Sequence, residues 1–166
     1  DGTHAVVNTD TGAVSTWDPV DPAGFAAAAT DGKSLFVSGN FPKVGGAPRS
    51  MLAAFDLETR QLTPWAPTLD LPAAHLYSFD RMLVATGTFT RANGEPRNGF
   101  AIFDTITGRL SAVTADADGQ IAEVTFSPNS LYLAGDFYHL NGVPRAYYGA
   151  VDRLALELFF EFGNFT

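Results

Sequence analysis

The chain of 166 residues contains no cysteine, which excludes disulfides and thiolate metal centres without deciding a compartment. Charge is also sparse, at 17% of residues against a usual quarter, and it is lopsided: 10 Lys and Arg face 18 Asp and Glu, for a net charge of −8. A nucleic-acid backbone needs a basic field that this composition lacks, so no nucleic-acid partner is expected. No apolar run approaches the roughly 18 residues of a membrane span, and the residues from Asp1 onward show no signal-peptide pattern, so neither membrane insertion nor a leader is expected. Apolar repetition with a period of about 3.6 residues is missing throughout, which argues against helices. What is present is a 46% hydrophobic share with 16 Gly and 10 Pro, enough for a core interrupted by many turns.

Those turns are periodic. Leu35-Phe36-Val37-Ser38-Gly39-Asn40-Phe41 aligns with Leu83-Val84-Ala85-Thr86-Gly87-Thr88-Phe89 and with Leu131-Tyr132-Leu133-Ala134-Gly135-Asp136-Phe137, at an offset of 48 residues both times. The same offset carries Gly46, Pro48 and Arg49 onto Gly94, Pro96 and Arg97, and onto Gly142, Pro144 and Arg145. It carries Asp56 onto Asp104 and Asp152. Backwards, it places Trp65 on Trp17 and Asp56 on Asn8.

Each copy holds four strand-like runs bounded by turn residues, near 72–79, 82–89, 98–104 and 109–114 in the central one. Successive side chains are apolar on both parities: Leu35 and Val37 point one way, Phe36 and Ser38 the other. The Met51–Phe55 run and its counterparts behave alike, with a small residue recurring at Ala53, Ala101 and Gly149. A sandwich sheet would keep one wet face, whereas a sheet stacked between two copies of itself would not. The expected fold is therefore all-β, a β-propeller of 48-residue four-stranded antiparallel blades.

The recurring Leu-aromatic-Val/Leu-x-Gly-Asn/Asp-Phe segment, the Gly-Gly or Asn-Gly turn with Pro-Arg, the strand ending in Asp, and Thr-Gly followed by Trp-x-Pro together resemble the delta-60 type of bacterial β-propeller repeat. Val113 and Glu161 replace the Trp in the last two copies. The resemblance covers nearly the whole chain. It implies a scaffold or binding module of a secreted or cell-surface protein, and assigns no catalytic residue and no cofactor.

On this register residues 1–20 supply the outer strands of a partial blade, and 21–68, 69–116 and 117–166 are blades, about 3.5 in all. Propellers close with roughly 4 to 8 blades. Association is thus expected, with the remainder of a longer parent chain or with another copy, through Val6, Val14 and Trp17 at one end and Leu154, Leu156, Leu158 and Phe160 at the other. A displaced strand at Phe162-Gly163-Asn164-Phe165 is a third possibility.

The recurrence of Arg49, Arg97, Arg145, Asp56, Asp104 and Asp152 argues for turn-fixing roles, because an active site needs unlike groups converging on one point. Gly39, Gly87 and Gly135, with Phe41, Phe89 and Phe137, read as structural in the same way. Asp116-Ala117-Asp118-Gly119 brings carboxylates close together but lacks the spacing of a calcium loop. His4, His75 and His139 occupy unrelated repeat positions, so no zinc site is expected. His75 aligns with Glu123 and Ala27 on the innermost strand; with Asp118 these are the candidate ligand-binding residues, for a protein or glycan ligand. An enzyme, such as a hydrolase with a site at the channel mouth, and a structural subunit of an extracellular assembly are the alternatives. Nucleophile elbows, zincin helices and phosphate loops are not found. Asn164-Phe165-Thr166 fits a glycosylation sequon.

Overall fold

A computed structural model describes residues 6–7, 9–15 and 24–152. The expectations placed on His4, Asn8, Trp17, Leu154 to Phe160, Glu161 and the segment 162–166 lie outside the described residues, as do most of the partial blade at 1–20 and the outer part of the last one.

The described residues contain strands and turns and no helix. Strands β1 (Val6–Val7) and β2 (Val14–Ser15) pair as a ribbon. The first sheet comprises β3 (Phe25–Thr30), β4 (Ser34–Gly39) and, after a ribbon of β5 (Lys43–Val44) and β6 (Ala47–Pro48), β7 (Leu52–Asp56). The second repeats it with β8 (Ala73–Phe79), β9 (Met82–Gly87), the ribbon β10 (Arg91–Ala92) and β11 (Glu95–Pro96), and β12 (Phe100–Asp104). The third follows with β13 (Gln120–Phe126), β14 (Ser130–Asp136), the ribbon β15 (His139–Leu140) and β16 (Val143–Pro144), and β17 (Tyr148–Asp152). In each sheet the second strand lies between the first and third, and every pairing is antiparallel.

Backbone geometry repeats with the sequence. The ribbon turns Gly45-Gly46, Asn93-Gly94 and Asn141-Gly142 hold both central residues at positive φ, from 47° to 82°, as a two-residue hairpin demands. Each innermost strand bulges at the same register, between Phe25 and Ala27, Ala73 and His75, and Ile121 and Glu123. At Gly39 and Gly135, facing these bulges, an added Cβ would run into the carbonyl oxygens of Gly24 and Gln120, so the motif glycine is a steric requirement.

The four-stranded expectation is corrected at the outer edge of the first and second sheets, where each has three strands and a stub; the outer edge of the third lies outside the described residues. The run 61–63 meets β7 through Phe55 and Leu62, and 109–111 meets β12 through Phe103 and Leu110, one bridge each. The ladder stops because its next groups are spent. Arg49 Nη2 takes the Thr63 carbonyl (2.6 Å), Arg97 Nη2 takes that of Ser111 (2.8 Å), and Pro64 has no N–H to give.

Stacking explains the doubly apolar strands. Leu83, Ala85, Ala101 and Phe103 pack with Phe36, Leu52 and Ala54 of the first sheet, while Met82, Val84, Phe100 and Ile102 on the other face pack with Ile121, Val124, Leu131 and Leu133 of the third. Phe41, Phe89 and Phe137 are all buried. Trp65, on the segment leaving the first sheet, sets its ring edge-on to Phe36 (5.1 Å) and Phe103 (6.3 Å) and donates from Nε1 to the Asp104 carbonyl of the second (2.9 Å). Ser38 Oγ makes a further link, accepting from the Ala73 N–H (2.8 Å) and donating to the Met51 carbonyl (3.0 Å).

Candidate functional site

The innermost strands β3, β8 and β13 lie against one another in order. Where they meet, a groove of about 370 Å³ is floored by Ala26, Ala27, Ala28 and Ala74 and walled by His75, Leu76, Tyr77 and Glu123. His75 and Glu123 are exposed, and their register partners Thr86 and Ala134 occupy equivalent repeat positions in β9 and β14. Tyr77 sits beside His75, ring centroids 6.3 Å apart, and its hydroxyl donates to the Ala122 carbonyl at the bulge of β13 (3.1 Å). Burial, and next the negative charge of Glu123, push the Tyr77 hydroxyl above its ordinary range, so it stays protonated and remains a donor. Ser, Thr, Cys and Lys are missing from the described lining of this groove.

Asp118 lies elsewhere. It lines a second groove of about 290 Å³ with Gly87, Phe89 and Asn98, and its carboxylate is already engaged. The N–H groups of Tyr138 and His139 donate to Oδ1 (2.7 and 2.9 Å), and His139 Nδ1 lies 2.8 Å from Oδ2. Hydrogen bonds from His139, backbone first and then side chain, with the Tyr138 amide, hold this carboxyl down to about 2. Asp70 performs the same operation one copy earlier, accepting from the N–H groups of Thr90 and Arg91 and from the Thr90 hydroxyl (2.9, 3.0 and 2.6 Å). Burial pushes Asp70 upward, and these three donors together outweigh it, so its carboxyl is lowered as well. Both aspartates therefore pin a ribbon to the segment entering its sheet. His75 and Glu123 share one groove, and Asp118 is bound into a turn clamp outside it.

The repeated ions do local work. Arg49, Arg97 and Arg145 each direct Nη1 to the carbonyl of the preceding proline, at 2.7 to 2.8 Å. Asp56 accepts from the Thr59 amide and hydroxyl, and Asp104 from the amides of Ile106 and Thr107. The Asp56 carboxyl is lowered chiefly by that Thr59 amide bond. Asp104 also pairs with Arg81. Among the described residues no group of three or more His, Asp or Glu side chains is placed to hold a metal ion.

Sequence reasoning missed Tyr77, the Asp118–His139 contact and the shared clamp of Asp70 and Asp118. The 48-residue alignment of Asp70 with Asp118 was the available signal for the last. Scanned against models of protein families and against curated proteins, the chain finds no match.

Proposed function

We propose that the stacked sheets are blades of a β-propeller, a non-enzymatic scaffold in a secreted or surface-associated protein, and that it presents its ribbons to a protein or glycan ligand. One observation carries the reading: three ribbons share one backbone conformation and differ in what they expose. At equivalent positions they carry Lys43, Arg91 and His139, then Ala47, Glu95 and Val143, while the turn between keeps its left-handed geometry. Constant frame with varied tips is how a rigid scaffold supports recognition. The radial arrangement is supported by the repeated face-to-face packing and by β3, β8 and β13 adjoining along one side. For the groove, an imidazole and a carboxylate over an alanine floor offer a ligand a pair of hydrogen-bonding groups on a narrow apolar strip.

The test is binding of the immobilised chain to a panel of neutral and acidic glycans and secreted proteins, repeated with the Lys43→Ala, Glu95→Ala, Val143→Ala triple variant. Binding lost in the triple variant, with unchanged thermal stability, supports the ribbon surface. Binding retained there but lost in His75→Ala or Glu123→Ala transfers the site to the groove and refutes the ribbon reading.

A further inference from the structure

In the first two sheets one face is sealed by the sheet that follows. Phe36, Leu52 and Ala54 are at most 1% exposed beneath the second sheet, and Val84, Phe100 and Ile102 at most 1% beneath the third. The third sheet carries Tyr132, Tyr148 and Ala150 at the same repeat positions, and there Tyr132 is 43% and Tyr148 70% exposed. The register sets Tyr132 opposite Ala150 and Ala134 opposite Tyr148, so two phenol rings stand on a diagonal with an alanine beside each. The reverse face of these strands, with Leu131 and Leu133, is buried.

We propose that this tyrosine face is the docking site for a fourth sheet of the same repeat, seated through a Leu-x-Leu or Leu-x-Ala second strand. The proposal rests on the stacked-blade reading above and names the partner of one face. Continuity identifies the occupant: both interfaces inside the chain use these positions, with Leu83 and Ala85 covering the first sheet and Leu131 and Leu133 covering the second. Tyrosine is compatible with such a seat, since Tyr77 already stands between two sheets and satisfies its hydroxyl on a carbonyl of the next one. A second copy of the chain is the poorer fit. Among the described residues Val37, Ala53 and Phe55 of its first sheet are already buried, and setting one tyrosine face on another would bring two Glu123 side chains together on molecules of net charge −8.

The test appends residues 71–116 directly after Thr166, which keeps the 48-residue register, and compares nitration of each tyrosine by tetranitromethane in the extended and parent chains. Tyr132 and Tyr148 should lose about tenfold or more in rate, because reaction then waits on local opening. Tyr138 should not change, since its counterpart Thr90 stays exposed although a sheet follows it. The same extension carrying Leu83→Asp in the appended copy should restore both rates. Unchanged reactivity in the extended chain overturns the proposal, and so does an appended copy without amide protection, because the second and third sheets fold on this face here. A parent chain that is dimeric with both tyrosines protected makes a second copy the occupant and overturns it too. Loss of packing around Trp65 in the parent would instead defeat the stacked-blade reading itself.

Discussion

Removing the Trp65 indole should separate the first two sheets more than any other single truncation. The side chain is 5% exposed, lies edge-on to Phe36 of the first sheet and Phe103 of the second, and ties its Nε1–H to the Asp104 carbonyl. Aromatic-to-Ala changes in a core cost about 3–5 kcal/mol, and the lost hydrogen bond, worth about 1, places Trp65→Ala at the upper end. Trp65→Phe keeps part of the packing and loses the donor, so about 1–2 kcal/mol is expected. Val113, at the same repeat position in the next interface, is half-buried, and Val113→Ala should cost about 1 kcal/mol. Urea unfolding followed by far-ultraviolet circular dichroism gives these differences directly if the slope with denaturant stays constant. A double-mutant cycle with Phe36→Leu should show about 0.5–1.5 kcal/mol of coupling from the edge-on rings. A Trp65→Ala cost below about 1 kcal/mol, or equal costs for the Phe and Ala variants, would refute the view that the indole joins the sheets through both packing and its donor.

Phe41→Ala, Phe89→Ala and Phe137→Ala should each destabilise, with Phe89, between two sheets, at about 3–5 kcal/mol; costs under about 1 at all three would place the aromatic outside the core. Met51, Gly99 and Tyr147 share one repeat position at φ of 66°, 68° and 69°, and a Cβ on Gly99 would also run into the Gly87 carbonyl oxygen, so Gly99→Ala should cost about 2 kcal/mol or more in the same unfolding assay, while Tyr147→Gly should be neutral or stabilising. For Asp118 the folded carboxyl titrates at about 2 against an ordinary 3.8, so its contribution is complete above pH 4 and is lost as the pH falls toward 2. Protection of the Tyr138 and His139 amides, taken relative to their intrinsic exchange rates at each pH, should therefore fall over that window, and Asp118→Asn should abolish that change in protection.

Much of this architecture is written in the chain. Alternation on both parities at Leu83 to Ala85 announces a sheet with no wet face, and the structure buries Leu83 and Ala85 against one neighbour and Met82 and Val84 against the other. Asn-Gly and Gly-Gly mark the ribbon turns because few other pairs accept two left-handed residues. The outer strand misleads, since its apolar residues look ready to pair and only the fold shows Arg49 and Arg97 diverting its carbonyls. Met51 and Tyr147 are equally illegible, because neither residue type signals positive φ. The groove is half legible: the alignment sets His75 level with Glu123, but a repeat register carries no information on what a loop carboxylate such as Asp118 will accept from.

Among the described residues, hydrogen bonds join one copy to the next at Ser38 and Ala73, Trp65 and Asp104, Tyr77 and Ala122, and Asn98 and Ala117. Such wiring sets the grammar of permissible genetic change. Excising or duplicating one 48-residue stretch keeps each apolar strand in register with the sheet it stacks on, whereas losing a single residue from a strand such as β9 turns Leu83 and Ala85 toward the wrong neighbour. Unequal recombination between copies can thus lengthen or shorten the protein in whole units while point deletions inside strands are purged, and the gapless spacing of the three copies is the record such a history would leave.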